Sequence, residues 1–331
     1  MLPTDVGPDT LGLVAAMVAT DGPLTSCTAS SAAPDSTEFC TALKVLDLCC
    51  GCGVQSLAIA MCRRFRGVGE TALAMIDRSP RAVRFARFNI LLNGIPDDDT
   101  AGTTHAAVYC GDASNVASVL PQRLQPFSFD AILINPPYIP NPEKAAGLET
   151  FGDGGWSGEE LTAAAVAQSK SLLHCGGILA VVANLPNADK YPAKLQKWWE
   201  TEALLERRCG QDEDAGDAQS WGLKATVLCG CRWTPQRYAE LIHMYDSSTA
   251  TSTTTDNYAR ALERSGVEDV CNGFIFARMA RASPGDRVAC VVSTAHEQLW
   301  QAVAGVCGRR VATQIQAAAS DACRAGAGVS M

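Results

Sequence analysis

The sequence is poor in aromatic residues, in charge and in histidine. Of its 331 residues, 6% are aromatic and 19% charged, and there are four histidines. None of these histidines stands in a setting typical of a catalytic triad, so hydrolysis by an activated serine or cysteine is not indicated. The net charge of -8 disfavours a protein that coats itself with nucleic acid, because phosphate binding needs a local excess of lysine and arginine.

Membrane and secretory signals are also missing. No apolar run reaches membrane-spanning length, and the opening residues MLPTDVGPDT contain neither a basic nor an apolar signal region. The 15 cysteines form no two CxxC pairs at zinc-ribbon spacing. We interpret most of them as reduced, small apolar residues. We therefore expect a cytoplasmic, reducing compartment, no visible organelle-targeting segment and no metal site.

Apolar runs alternate with helix-like segments through the first 186 residues. The pattern predicts strands at residues 43–48, 72–77, 106–112, 130–135 and 176–186, and helices at residues 8–19, 54–65, 79–94 and 158–173. This alternation is typical of an α/β fold with a doubly wound, mostly parallel sheet. In such a sheet the carboxyl ends of the strands converge on one ligand crevice.

Three regions are predicted along the chain. An N-terminal helix and connection occupy residues 1–42, a core occupies residues 43–230, and a C-terminal extension occupies residues 231–331. After residue 186 we predict a helix at KLQKWW, a polar insertion at residues 209–220, and strands at residues 223–229 and 272–279. The Ser/Thr-rich stretch at residues 246–257 is expected to be mobile, and the tail is expected to be helical.

Acidic residues stand at the ends of three consecutive predicted strands: Asp47, Asp77 and Asp112. Gly51 and Gly53 follow the first strand, where a glycine turn lets a ligand approach the backbone closely. A carboxylate at the position of Asp77 can accept both hydroxyls of a ribose, and Asp112 is placed to meet an adenine edge. A tight turn and ordinary helix caps are the alternative reading of these residues.

The segments DLCCGCG at residues 47–53, Asp77, Gly111-Asp112 and NPPY at residues 135–138 resemble motifs of class I S-adenosylmethionine-dependent methyltransferases. More narrowly, they resemble the methyltransferase small domain branch, which includes the release-factor glutamine methyltransferases and related nucleic-acid amino methyltransferases. The resemblance covers residues 5–186 well. It implies a seven-stranded, Rossmann-like sheet with one antiparallel strand, and S-adenosyl-L-methionine as the cofactor.

The resemblance also implies roles for individual residues. Asp77 would hold the ribose, the loop at residues 51–53 the methionine portion, and Asp112 the adenine. The predicted cofactor-binding residues are Asp47, Cys49, Gly51, Gly53, Asp77, Arg78, Asp112, Ala113 and Asn135. Cys49 replaces the first loop glycine of the family, so its side chain could narrow the loop. Cys49 and Cys52 are also spaced as a CxxC metal or redox pair, but no second ligand pair accompanies them. A nicotinamide-binding fingerprint, GxGxxG, is not present at this turn.

The NPPY segment predicts the chemistry. A planar amide or amine nitrogen becomes a nucleophile when it turns pyramidal, and the Asn135 side-chain oxygen and the Pro136 carbonyl can accept its two N–H hydrogens. Proline removes a backbone donor and fixes φ, so the Pro136 carbonyl is held rigidly. Tyr138 can stack on the planar group. Asn135, Pro136 and Tyr138 are therefore the predicted catalytic residues; the alternative is that the prolines merely end a strand.

The substrate that accepts the methyl group is less well determined. Gly155 and Gly158 resemble a GGxxG segment of the family, and Glu149 and Asp153 are either substrate contacts or solvated loop acids. The arginines at positions 78, 81, 84 and 87 favour a solvated helix face over a nucleic-acid-binding stripe. We expect a protein glutamine as acceptor. The alternatives are a nucleic-acid base, a small molecule, and an inactive cofactor-binding partner subunit.

Overall fold

The computed structural model describes residues 13, 42–67, 69–96, 104–124, 128–144, 152–201, 220–245, 252–282 and 288–293. The chain divides into two compact units, with the boundary between Leu133 and Ile134. Among the described residues, those before this boundary form the first unit and those after it form the second.

The first unit is an α/β layer. Its strands are β1 (Leu43–Leu48), β2 (Thr71–Asp77), β3 (His105–Cys110) and β4 (Phe129–Ile134), the last residue of which is counted with the second unit, and its helices are α1 (Val54–Arg66) and α2 (Pro80–Leu92). The strand order is β3-β2-β1-β4, and β2 pairs in parallel with both β1 and β3. Val45, Leu46 and Leu48 of β1 are fully buried. Successive buried residues are typical of a strand covered on both faces, which is where parallel strands occur.

The second unit holds β5 (Leu173–Pro186), β6 (Ser220–Trp233), β7 (Val270–Ala282) and β8 (Val288–Ser293). Their order is β5-β7-β6-β8; β7 is antiparallel to β5 and β6, whereas β8 is parallel to β6. The helices are α3 (Glu160–Leu172), α4 (Tyr191–Glu200), α5 (Pro235–Tyr245) and α6 (Ser252–Arg264). Helices α5 and α6, here called the helical pair, lie between β6 and β7 in the chain. Buried residues of both helices form one cluster, which includes Tyr238 and Tyr258.

Most predicted elements are confirmed to within a few residues. The alternating strands and helices between residues 43 and 186 and the two later strands are present. The described strands number eight, one more than the predicted seven, because β8 was not anticipated. The predicted helix at residues 8–19 lies outside the described residues except for Leu13, which is helical and buried. The predicted tail helix and residues 209–219 of the polar insertion also lie outside them.

The stretch expected to be mobile at residues 246–257 is partly helical. Residues 252–257 form the first half of α6, and the remainder lies outside the described residues. Serine and threonine have a weak helix propensity, which tertiary packing overrides. The packing comes from Tyr258, Ala261 and Leu262, which are buried on one face of the same helix. Helix α5 was not predicted either.

Two general features of the described residues bear on the sequence predictions. No helix within the described ranges is long and apolar enough to cross a membrane. Nine cysteines of the described part are free thiols, and Cys231 is disulfide-bonded.

Candidate active site

The turn after β1 is fastened to the end of β2 by the carboxylate of Asp77. The backbone N–H of Gly51 donates to Asp77 Oδ2 at 2.9 Å, and the N–H of Ser79 donates to Asp77 Oδ1 at 2.8 Å. Each carboxylate oxygen has a second lone pair, so two further hydrogen bonds can be accepted. The acid predicted to hold a ribose thus also fixes the shape of the glycine turn.

The turn itself is left-handed at three positions. Cys49, Gly51 and Gly53 have φ values of 56°, 55° and 77°. A Cβ at Gly53 would lie 3.0 Å from Met75 Sδ, so the helix start packs closely on β2. A Cβ at Gly51 would meet nothing within 4 Å, so the space over this residue is open. The Asn89 side chain donates to the Cys52 carbonyl at 2.9 Å and secures the far side of the turn.

Asp47 is fully buried beneath the turn. Its Oδ2 accepts from the Ser56 hydroxyl at 2.8 Å and from the Ser56 N–H at 3.3 Å, while its Oδ1 has no partner. Burial raises the pKa of Asp47 to about 7, against the lowering effect of the Ser56 bonds and with a further rise from Asp77. A carboxylate oxygen without a partner at this depth is costly in its ionised form.

The three predicted acids, Asp47, Asp77 and Asp112, all act electrostatically on the thiol of Cys49 in the first unit. Burial raises the pKa of the Cys49 thiol well above its usual value, and the carboxylates of Asp77, Asp47 and Asp112 add to the rise, while Arg78 opposes it. A thiolate is therefore strongly disfavoured at Cys49, although metal binding and redox chemistry both need one. No group of three or more His, Cys, Asp or Glu residues in the described ranges is arranged to hold a metal ion.

The end of β3 provides the third acid. Asp112 is exposed and caps a 3₁₀ turn (Ala113–Ser118), accepting from the Ser114 N–H at 2.8 Å. That bond lowers the pKa of Asp112. Ala113 is buried, and Arg78 is exposed directly after Asp77. Asp112 therefore acts as a cap and also keeps a charged carboxylate at the strand end.

Asn135, Pro136 and Tyr138 belong to the second unit, immediately after β4. Pro136 is buried, and Asn135 and Tyr138 are half-buried. The next residues pair with a glycine-rich turn at residues 152–158. Ile139 N donates to the Gly152 carbonyl at 3.2 Å and its carbonyl accepts from Gly154 N at 3.0 Å, while Asn141 N donates to the Gly155 carbonyl at 2.7 Å. The NPPY segment therefore leads into a fixed backbone.

Two glycines of this turn pack closely against the backbone of Tyr138. A Cβ at Gly154 would lie 2.9 Å from Tyr138 Cα, and a Cβ at Gly158 would lie 2.7 Å from the Tyr138 carbonyl oxygen. Side chains are excluded at both positions. Asp153, considered above as a substrate contact, accepts from Gly155 N at 3.0 Å and so shapes the turn, whereas Glu149 lies outside the described residues.

A buried ion pair holds the end of the same turn. Lys194 Nζ of α4 donates to both oxygens of Glu159, at 2.8 and 3.0 Å, and to the Pro186 carbonyl at 2.7 Å. Both side chains are largely buried, so the pair is screened little by solvent. It ties the start of α3 to the end of β5.

Comparison with known proteins identifies the family. The family model of the methyltransferase small domain matches residues 34–210, which is more than half of the chain. The chain belongs to the methyltransferase small domain family. This methyltransferase has the class I α/β fold and is an S-adenosylmethionine-dependent enzyme, as the sequence motifs predict.

Similar solved structures include a predicted O-methyltransferase from Agrobacterium tumefaciens, with 14% identity, 86% of this chain and 85% of that chain covered, and a TM-score of 0.41. Another is TYW2 of P. horikoshii in complex with MeSAdo, with 14% identity and a TM-score of 0.37. That match covers 73% of this chain and 58% of the other. No curated protein matches the sequence. The family assignment rests on the family model alone.

The chemistry of the first unit fits S-adenosylmethionine, whose sulfonium and ammonium groups are cationic. Asp47, Asp77 and Asp112 supply three carboxylates, all near Cys49. Asp77 retains acceptor capacity for hydroxyls, Asp47 Oδ1 lacks a partner, and the space over Gly51 is open. The same acidic set would repel the pyrophosphate of a dinucleotide. The methyltransferase cofactor is thus matched in charge and in donor–acceptor character.

Sequence reasoning missed several residues that shape these sites. Ser79 stands before Pro80 at a helix start, a detectable capping signal. Ser56, Asn89 and Lys194 gave no such signal, because their partners lie 9, 37 and 35 residues away and follow no local sequence pattern.

Proposed function

We propose that this methyltransferase transfers the methyl group to a planar amide nitrogen, that of a protein glutamine. The proposal is carried by Asn135 and Pro136, which follow β4 directly and lead into the backbone pairing at Ile139. S-adenosylmethionine supplies an electrophilic methyl group. The protein's part is to orient the acceptor nitrogen and to make its lone pair available.

Asn135 and Pro136 form the acceptor clamp in this proposal. The Asn135 side-chain oxygen and the Pro136 carbonyl each accept one N–H hydrogen of the acceptor, which favours a pyramidal nitrogen and stabilises its developing positive charge. No strong base is required before attack, since the proton leaves the nitrogen for solvent afterwards. Loss of one such acceptor is expected to cost about 3 kcal/mol in the transition state, by analogy with oxyanion-hole donors.

Rigidity of the clamp supports this role. Pro136 is buried and has a fixed φ, while Gly154 and Gly158 enclose the backbone of Tyr138. A misplacement of about 1 Å can cost about a hundredfold in rate, so a catalytic carbonyl benefits from such confinement. Prolines that served only to end a strand would not need this confinement of the backbone.

A protein acceptor is favoured by the surface of the described residues. Two arginines of the α2 stripe are engaged locally: Arg87 donates to the Val108 carbonyl at 3.1 Å, and Arg81 stacks on Phe85. They therefore form a poor phosphate-binding row, in keeping with the net charge of -8. Trp156 is 56% exposed on the hydrogen-bonded glycine turn. Tryptophan is enriched at protein–protein contact sites.

The test is transfer of a tritiated methyl group from S-adenosylmethionine into a cell extract, followed by separate digestion with protease and nuclease. We expect the label to become small peptides with protease and to resist nuclease. Acid hydrolysis of a methylated glutamine amide releases methylammonium, which becomes volatile methylamine when the hydrolysate is made alkaline, whereas a methylated base retains its label. Label released by nuclease, or label found from the outset in small solutes, would replace the glutamine proposal by one of the alternatives.

A further inference from the structure

The helical pair is bonded to the chain segment that follows NPPY. Its two helices, Pro235–Tyr245 and Ser252–Arg264, lie beyond the family-matched residues 34–210. Ile139 packs against its buried cluster. The helical pair is therefore an addition to the matched domain that reaches the proposed catalytic segment.

Tyr258 makes the most direct connection. Its ring is fully buried in the cluster, and its hydroxyl donates to the Pro140 carbonyl at 2.5 Å. Burial raises the pKa of Tyr258 well above its usual value, with smaller contributions from Tyr238 and Asp153, so the hydroxyl keeps its proton and remains a donor. The His243 ring packs edge-on against the Tyr258 ring at 5.8 Å and limits its movement.

The hydrogen bond from Tyr258 reaches Pro140, in the middle of the backbone segment that follows NPPY. The N–H groups on either side of Pro140, those of Ile139 and Asn141, are bonded to the glycine turn. The Pro140 carbonyl is bonded to the helical pair instead. The backbone after NPPY is thus held from two directions, and loss of the Tyr258 hydroxyl would release one of them.

A second connection lies three residues farther along, at Glu143. Arg264 of α6 donates to both carboxylate oxygens of Glu143, at 3.2 and 2.9 Å. Glu143 has a left-handed φ of 59°, so its backbone conformation needs support. Both side chains are exposed, which makes this connection weaker than the buried Tyr258 bond.

We infer that Tyr258 is a positioning residue for methyl transfer. It fixes the Pro140 carbonyl and, through the chain, the backbone of Asn135 and Pro136. This inference rests on the proposed function of those two residues. A residue of the helical pair would thereby act on the chemical step and leave cofactor binding unaffected.

Tyr258→Phe is the test variant, and Tyr238→Phe is its matched control. Tyr238 is buried in the same cluster, but its hydroxyl accepts from the Asn184 amide at 2.6 Å. Each variant keeps its ring and loses one buried hydrogen bond. Rates of tritiated methyl transfer into the protein fraction of an extract, measured at saturating S-adenosylmethionine and varied extract concentration, give kcat and KM separately.

We expect Tyr258→Phe to lower kcat by about ten- to a hundredfold with little change in KM or in the cofactor Kd. Tyr238→Phe should keep kcat within about twofold. Equal kcat losses in the two variants would mean that Tyr258 is only structural, and a wild-type kcat in Tyr258→Phe would overturn the inference. If Tyr258→Phe fails to fold, Arg264→Met tests the exposed connection of the same segment, with a fall of about two- to fivefold expected; an unchanged kcat would then overturn the inference.

Asn135→Ala is measured in parallel to separate the two proposals. If Asn135→Ala keeps its kcat, the proposed function fails, whatever Tyr258→Phe does. If Asn135→Ala loses activity while Tyr258→Phe does not, the inference on Tyr258 alone fails.

Discussion

Replacing Asp47 by asparagine should change how the stability of the protein depends on pH. Burial raises the pKa of Asp47 from 3.8 to about 7, so its ionised form is disfavoured in the folded protein. The stabilising contribution of the neutral acid is fully present below pH 3.8 and is lost as pH rises through about 7. A shift of about three units corresponds to about 4 kcal/mol when fully developed.

The effect can be measured within a mild pH range. Between about pH 5 and about pH 8, the linkage predicts that the wild-type protein loses about 2.5 kcal/mol of unfolding free energy through this group. Asp47→Asn does not titrate and should lack this loss. Its amide oxygen can still accept from Ser56, but its NH₂ group has no partner, so the slopes with pH are compared and not the absolute stabilities. Urea denaturation at several pH values provides the slopes.

Asp112→Asn is the matched control. Asp112 is exposed and its pKa is lowered by the Ser114 bond, so its contribution is lost only as pH falls through that lowered pKa. Its slope between about pH 5 and about pH 8 should equal that of the wild type. If Asp47→Asn also shows the wild-type slope, the buried, partnerless carboxylate does not control this pH dependence.

Three further predictions concern the turns. Cys49→Gly should raise the unfolding free energy by about 0.5–1 kcal/mol, because glycine adopts the φ of 56° without strain; urea denaturation checks this, and a loss of stability would contradict it. Gly158→Ala should lower the unfolding free energy by about 2 kcal/mol or more and remove most of the activity, because its Cβ would clash with the Tyr138 carbonyl. Gly176→Ala is its control: with a similar φ but open space around it, it should lower the unfolding free energy by about 1 kcal/mol and leave the activity unchanged. Asp77→Ala should weaken S-adenosylmethionine binding at least about tenfold in isothermal titration, and an unchanged Kd would remove Asp77 from the cofactor site.

Much of the first unit could be predicted because its signals are local. The run LKVLDL is apolar and bounded by a glycine turn, and β1 occupies these residues. Ser79 and Pro80 mark the start of α2 in the same way. The family motifs led to the class I fold and to the cofactor, and the family match confirms both.

Features that depend on distant partners could not be predicted. The pKa of Asp47 arises from burial, which its sequence neighbours do not reveal. The bond from Tyr258 to Pro140 spans 118 residues. Helix α6 was missed because its Ser/Thr-rich start favours a loop, while the packing that stabilises it involves buried residues of α5. The assignments of Asn135, Pro136 and Tyr138 as catalytic residues stay predictions.

Asn135 is proposed to prepare the acceptor nitrogen for methylation. The most direct test measures cofactor affinity and methyl transfer on the same preparation of Asn135→Ala. At saturating S-adenosylmethionine we expect a kcat lower by about a hundredfold, which corresponds to about 3 kcal/mol, while the Kd for S-adenosylhomocysteine reports separately on the predicted cofactor contact of Asn135. A variant that binds the cofactor normally and transfers methyl groups at the wild-type rate would contradict this role of Asn135.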